Sequence, residues 1–177
     1  MSFLRSSTVR FSLVAVAIGY LLLMFVSGAP PTHQNRITSS ASGVLTQQPD
    51  QIVAVEITMR DSTDVYTLRR GYWFYASSQQ PLLEVKASAL RDAIKFMHTA
   101  EPVRVLAPEE VAAVDASKYG LEPAKFSVAL VAADDTRLSV DFGDMANDGV
   151  LQYMRIAGRG EIYLMSGFVG AAWVALQ

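Results

Sequence analysis

Oxygen-bearing side chains that could bind a metal ion gather in one acidic loop, residues 141–148. They are Asp141, Asp144, Asn147 and Asp148. Carboxylate and amide oxygens are the ligands that Ca²⁺ prefers, but the loop lacks the ligand spacing of an EF-hand and its closing bidentate glutamate. The pattern therefore favours a solvated loop, with calcium binding as the alternative.

Residues for acid–base or nucleophilic catalysis occur singly rather than in a catalytic pattern. No serine lies in the Gly-x-Ser-x-Gly arrangement that holds a nucleophile on a strained turn. Glu109 and Glu110 are adjacent, so on a helix they point to different sides, and acids at a helix N-terminus explain them better. The chain has no cysteine and two histidines, which excludes thiolate catalysis and cysteine-bound zinc or iron–sulfur clusters. We therefore expect no enzyme activity, no cofactor and no bound metal.

Four consecutive aromatic residues could form a stacking platform for a ligand. They are Tyr72, Trp73, Phe74 and Tyr75. Aromatic residues are enriched in β-strands, where successive side chains point to opposite faces, so a core strand is the favoured interpretation. Trp73 is the candidate binding residue of this segment.

The apolar run from Phe168 to Leu176 has two interpretations. It is either a last helix that packs on the sheet or an exposed surface that meets a partner or the membrane, and it is too short to span a bilayer. We expect a division between the two. Phe168 is assigned to the domain's own core, while Trp173 and Leu176 are assigned to a partner or lipid surface. Together with Trp73, these three are the candidate partner-binding residues.

Alternating apolar residues predict strands in antiparallel hairpins. In the first strand, residues of one parity are expected to face the core: Val53, Val55, Ile57 and Met59. The predicted strands cover residues 52–59, 65–70, 72–75, 126–130, 138–142, 151–157 and 161–166. Apolar residues at helical spacing predict an amphipathic helix over residues 87–99, and residues 103–106 are expected to form a short apolar link. The predicted fold class is α+β: an antiparallel meander of β-hairpins with one main amphipathic helix, preceded by a single N-terminal transmembrane helix.

The N-terminal part of the chain has the pattern of a membrane anchor. Its apolar stretch begins at Phe11, ends at Ala29 and contains no charged residue, and as a helix it is long enough to cross a hydrocarbon core of about 30 Å. Arg5 and Arg10 precede it, which places the N-terminus in the cytoplasm and the rest of the chain across the membrane. The alternative is a cleaved signal peptide. A cut after Ala29 would leave Pro30 directly behind the scissile bond, which argues against it.

Composition divides the chain into three parts. Residues 1–29 are predicted to form a cytoplasmic tip and transmembrane anchor, and residues 30–51, rich in Ser, Thr, Gln and Pro, a flexible linker. Residues 52–177 are predicted to form one periplasmic α+β domain. All 17 acidic residues follow the anchor, so this part lacks the clustered positive charge of a nucleic-acid binder.

The order of landmarks along the chain resembles that of a known family. In sequence these landmarks are Gly71-Tyr72-Trp73, the amphipathic helix, Tyr119-Gly120-Leu121-Glu122-Pro123, Phe142-Gly143, Tyr153-Met154-Arg155 and Ile162-Tyr163-Leu164. Over roughly residues 52–168 the chain thereby resembles the bacterial membrane-anchored domain-of-unknown-function family forty-three-forty. It departs from that family in carrying one such module, where many members carry several, and in having Asp134-Asp135 where an Asp-Gly turn is commoner. The resemblance implies a bacterial membrane protein often encoded beside ABC-type export components, and it implies no catalytic residue.

These observations predict a single-pass protein of the bacterial inner membrane with a periplasmic domain. The expected function is a non-enzymatic accessory or scaffolding subunit of a larger inner-membrane complex, with a protein partner and with membrane lipid around the anchor; the family resemblance implies a complex related to transport. The alternative function is a periplasmic module that binds a small ligand or a glycan through the hairpin of Trp73.

Overall fold

A computed structural model describes Ile18, Tyr20 and residues 43–60, 62–112 and 116–177. Ile18 and Tyr20 are helical, and the rest of the predicted anchor, with most of the predicted linker, lies outside the described residues. None of the helices in the part of the chain that the structure describes combines the length and the apolar character needed to cross a bilayer. The chain divides into two compact units, residues 1–38 and residues 39–177.

The second unit contains an antiparallel sheet of eight strands in the order β3-β2-β1-β5-β6-β7-β8-β4. The strands are β1 Ile52–Met59, β2 Ser62–Arg69, β3 Tyr72–Tyr75, β4 Arg104–Leu106, β5 Phe126–Ala132, β6 Arg137–Met145, β7 Leu151–Ile156 and β8 Ile162–Ser166. The predicted hairpins are confirmed, because alternation of buried and exposed residues marks strands with one covered face. The α+β class is therefore correct for the described residues.

Within residues 43–177, as far as the structure describes them, three α-helices accompany the sheet: α1 Glu84–Thr99, α2 Pro108–Ala112 and α3 Gly167–Val174. The buried residues of α1 recur at helical spacing, as the sequence predicts, and they are Ala87, Leu90, Ala93, Ile94, Met97 and His98. They join the residues that one face of the sheet presents in alternation, including Val55, Tyr66, Leu130, Val140 and Met154. Helices α1 and α3 contact each other and close this main core.

A smaller core lies on the opposite face of the sheet. It is built from Leu106, Leu121 and Ile162. Its position follows from strand geometry, since Ile162 is next to Tyr163, which belongs to the main core, and neighbouring residues of a strand point to opposite faces. The connection between β4 and β5 therefore packs against this end of the sheet.

Two local predictions about the strands are corrected. The register between β1 and β5 shifts between Ile52 and Ala54, so Ile52 is buried and Val53 is not, contrary to the simple alternation assumed for this strand. The predicted link at residues 103–106 contains the edge strand β4, which pairs with β8. A strand of three residues is too short to show a period of two.

The predicted linker, residues 30–51, overlaps the packed domain, because Gly43 and Leu45 within it are packed against the end of α1. The N–H groups of Gly43 and Leu45 donate to the carbonyls of His98 and Met97 at 3.1 and 2.9 Å, and Leu45 is 1% exposed. These bonds satisfy carbonyls in the last turn of α1, which have no partner inside the helix. We refer to residues 43–45 as the N-terminal strap.

The division predicted for the C-terminal run is wrong. Trp173 and Leu176 are fully buried at 0% and 1% exposure, whereas Phe168 is 51% exposed. The reason is helical geometry: Val169, Trp173 and Leu176 follow each other at spacings of four and three and so share the face that points to the core. Phe168 lies on a different side of the helix.

Candidate functional site

One candidate site is a cavity of about 590 Å³ between α1, the 3₁₀ turn Pro49–Gln51 and the end of the β2–β3 hairpin. Its apolar lining comes from Ile52, Leu68, Trp73 and Ile94. Its polar lining comes from Gln48, Asp50, Arg91, Asp92, Lys95, His98 and Thr99. Small-molecule sites are commonly concave, of about 300–1,000 Å³, and mainly apolar with a few convergent polar groups. The cavity has this size, and although polar residues outnumber apolar ones around it, the surface that they expose to it is mainly apolar.

Trp73 lies at this cavity because of its place in the aromatic strand β3. It pairs with Leu68 of β2, and both side chains point to the main core, while the neighbouring Tyr72 is 69% exposed. The core-strand interpretation of the aromatic run is therefore confirmed. Trp73 itself is 4% exposed, so the small part of its indole that remains accessible contributes to the cavity wall.

His98 is the buried polar side chain of the cavity. It is 7% exposed, and its Nδ1 lies 3.0 Å from the carbonyl oxygen of Leu45 in the N-terminal strap. A carbonyl oxygen only accepts hydrogen bonds, so Nδ1 carries the proton in this contact. In the neutral imidazole Nε2 is then an acceptor, and no hydrogen bond to it is found within the described residues. The signal in the sequence is that His98 follows Ile94 by four residues, which places it on the buried face of α1.

Charged side chains at the rim of the cavity balance one another. Asp50 and Asp92 supply two carboxylates, and Arg91 and Lys95 supply two cations. Arg91 is also paired with Glu84 at 2.5 Å, on an exposed part of the helix. All four rim residues are exposed, so solvent screens them strongly. The rim therefore provides polar contacts without a net charge.

A second candidate site is an exposed apolar surface around α3. Two shallow grooves meet at Ala175. The residues that line them and form what we call the α3 surface are Leu83, Val85, Ala89, Met145, Gly167, Gly170, Ala171, Val174 and Ala175. Among the described residues that line the two grooves, Lys86 alone has an ionisable side chain. Leu83 and Val85 are 81% and 85% exposed, which is unusual for such large apolar side chains when they lie close together.

The four predicted partner-binding residues are distributed over different environments. Trp73 lines the cavity, and Trp173 and Leu176 lie in the main core. Phe168 is half exposed beside α1, where its ring packs edge-on against Phe96 with 5.1 Å between ring centroids. The indole Nε1 of Trp173 is enclosed and has no hydrogen-bond partner within the described residues. Of the three candidates in the C-terminal run, only Phe168 is placed at the surface.

The acidic loop does not bring its carboxylates together. Asp144 pairs with Lys125 at 2.8 Å, and Asp148 accepts hydrogen bonds from the N–H groups of Val150 and Leu151 at 2.9 and 3.0 Å. Hydrogen bonds from these N–H groups stabilise the ionised carboxylate and so lower the pKa of Asp148, and the bond from Leu151 has the larger effect.

Asp141 turns away from this loop, to Ser127 at 2.6 Å and to Arg155 at 3.4 Å. Among the residues that the structure describes, no three His, Asp or Glu side chains are arranged to hold a metal ion.

Comparison of the chain with protein-family models, with curated proteins and with solved structures finds no match.

Proposed function

We propose that this chain is a non-enzymatic accessory subunit of a larger complex in the bacterial inner membrane. In this proposal the stretch from Phe11 to Ala29 anchors the protein, the N-terminus is cytoplasmic, and the α+β domain lies in the periplasm, where it binds a partner protein. Family forty-three-forty, which the order of sequence landmarks resembles, has the same layout, and we propose membership in it on that ground alone.

The observation that carries the proposal is the α3 surface. Large apolar side chains on a monomer's surface usually occur singly, whereas Leu83, Val85 and Val174 lie along two connected grooves. Val174 is 48% exposed although its helix is anchored by the buried Trp173. The helix is therefore held rigidly by its inner face, and its outer face is free of charge.

The chemistry of the α3 surface favours a protein with an apolar helix or loop as the occupant. Ala171 and Ala175 are exposed and carry only a methyl group, so a partner's backbone can approach α3 closely. Met145 at the groove edge is flexible and adapts to the shape of a partner. The near absence of basic residues among the groove residues argues against an anionic lipid surface, which attracts clusters of Lys and Arg.

Site-specific crosslinking in cells tests this proposal. A photoreactive benzoylphenylalanine is placed at Val174 of the full chain, and in a matched control at Val103, a valine that is 66% exposed and lies outside the α3 surface. We expect a crosslinked product of one discrete mass at position 174 and none at position 103. A probe at Val85 should crosslink to the same partner. Adding Val174→Asp to the Val85 probe variant should abolish this crosslink, because an uncompensated charge is then buried in the interface.

Three results would refute the proposed surface. One is a product that forms equally at positions 103 and 174. Another is a product at position 85 that survives Val174→Asp. The third is a product that contains lipid in place of protein. Mass spectrometry of the product distinguishes the last result, and equal thermal stability of the Val174→Asp domain shows that any loss reflects binding rather than misfolding.

A further inference from the structure

We propose that the cavity beside α1 binds an uncharged amphipathic small molecule. Its apolar body would lie against Leu68, and its hydroxyl or amide N–H would donate a hydrogen bond to Nε2 of His98. This ligand site is separate from the α3 surface, so either proposal can fail without the other.

The shape and the apolar lining decide the body of the ligand. The cavity holds about 590 Å³, which is the size of a drug-like molecule. Ile52 and Ile94 are 1% exposed and Trp73 is 4% exposed, so these walls are set by the core and are preformed. A sugar ring would need an open indole face to stack on, and Trp73 offers almost none. An aliphatic body that lies against the half-buried Leu68 needs no open ring face and therefore fits better than a glycan.

His98 decides where the polar group of the ligand lies. Its Nδ1–H is committed to the carbonyl of Leu45, which leaves the lone pair of Nε2 in the neutral imidazole. The enclosed polar atoms without a partner in the described part of the chain are Thr67 Oγ1 and Trp173 Nε1, so Nε2 is not sealed in the interior. His98 lines the cavity and is otherwise buried, and in the proposed complex its Nε2 faces the space that the ligand occupies.

The rim decides the charge of the ligand. A carboxylate ligand would be attracted by Arg91 and Lys95 but repelled by Asp50 and Asp92, and an amine ligand would meet the opposite combination. The rim therefore gives neither an anionic nor a cationic ligand a net attraction, and a charged ligand would also lose its hydration on entering an apolar cavity. An uncharged molecule avoids this cost and still finds its hydrogen-bond acceptor in His98.

Photolabelling of the full chain with 3-azioctanol tests the proposal. This probe has an aliphatic body, one hydroxyl group and a diazirine that inserts into neighbouring residues on illumination. Mass spectrometry of the labelled peptides locates the insertion, so partition of the probe into detergent does not obscure the result. We expect saturable labelling of residues 92–99. Unlabelled 1-octanol should compete at a concentration about tenfold or more below that of octanoate or octylammonium.

Two substitutions of the same kind separate the cavity from the exposed surface. Leu68→Trp places a larger side chain in the cavity and should abolish labelling of residues 92–99, whereas Leu83→Trp, at an exposed leucine outside the cavity, should leave it unchanged. Leu68→Phe serves as a smaller replacement if Leu68→Trp lowers the melting temperature. Labelling that persists in a folded Leu68 variant, or octanoate that competes as well as 1-octanol, would overturn the proposal.

His98→Asn tests the hydrogen bond itself. The asparagine amide N–H occupies the place of Nδ1–H and can still donate to Leu45, so the N-terminal strap is kept while the Nε2 acceptor is removed. Labelling by 3-azioctanol should weaken about 3- to 10-fold, and labelling by 3-azioctane, which lacks the hydroxyl, should not change. Equal loss for both probes would show that His98 only shapes the cavity and would refute the assigned acceptor.

Discussion

The opposite environments of Trp173 and Phe168 lead to a sharp prediction about stability. Trp173 is 0% exposed in the main core, and truncation of such a side chain to alanine destabilises a protein by about 3–5 kcal/mol. Phe168 is 51% exposed and buries about half of its ring, so Phe168→Ala should cost about 1–2 kcal/mol, including the lost contact with Phe96. Trp173→Ala should therefore be the more damaging change, by about 1–4 kcal/mol.

The assay is thermal and urea unfolding of the fragment that begins at Ser39, where the compact second unit begins. For a domain of this size each kcal/mol corresponds to roughly 3–5 °C in melting temperature. Trp173→Ala should lower the melting temperature by about 10–20 °C, and Phe168→Ala by about 3–8 °C. A loss of the same size for both variants, or a larger loss for Phe168→Ala, would refute the arrangement of α3 described above.

Trp173→Phe separates the apolar contribution of the ring from its polar atom. The smaller ring leaves a void that costs about 1 kcal/mol, but the substitution also removes an enclosed Nε1–H without a partner, whose burial costs about 1–3 kcal/mol. The two effects offset each other, so Trp173→Phe should unfold within about 1 kcal/mol of the natural chain. A loss as large as that of Trp173→Ala would show that the indole N–H makes a contact that stabilises the domain.

Three further predictions concern the rest of the domain. Arg137 donates to Glu56 at 3.0 and 2.5 Å, and this hydrogen bond lowers the pKa of the Glu56 carboxyl. The pair is partly exposed, so Glu56→Gln should cost at most about 0.5 kcal/mol at neutral pH. In urea titrations against pH this difference should vanish as the pH falls through the lowered pKa, because a depressed carboxyl pKa stabilises only while the group is ionised. A Cβ at Gly43 would overlap the main chain at the end of α1, so Gly43→Ala should speed amide exchange at Leu45 without unfolding the sheet. The melting temperature should not respond to excess calcium or chelator, and a rise of several degrees with calcium would contradict the solvated-loop interpretation of residues 141–148.

Strands and the main helix could be predicted from the sequence because each has one covered face. Val55 and Ile57 alternate with polar residues, and Leu90, Ile94 and Met97 recur at helical spacing, so the pattern of burial is visible in the residue types. The C-terminal run offers no such contrast. With no polar residue between Phe168 and Leu176, the sequence does not show which side of the helix faces the core. The structure shows that it is the side that carries Val169, Trp173 and Leu176.

The N-terminal strap was missed for a different physical reason. It is held by the main-chain N–H groups of Gly43 and Leu45, which leave no side-chain pattern in the sequence, and its three residues lie within a segment rich in Ser, Thr, Gln and Pro that reads as a flexible linker. The same strap orients His98, because the Leu45 carbonyl fixes which imidazole nitrogen carries the proton. The cavity is therefore a product of tertiary contacts between segments far apart in the chain. Trp73 is a candidate by its residue type alone. His98, which accepts the ligand's hydrogen bond in the proposed site, becomes a candidate only when the strap, the helix and the hairpin are assembled.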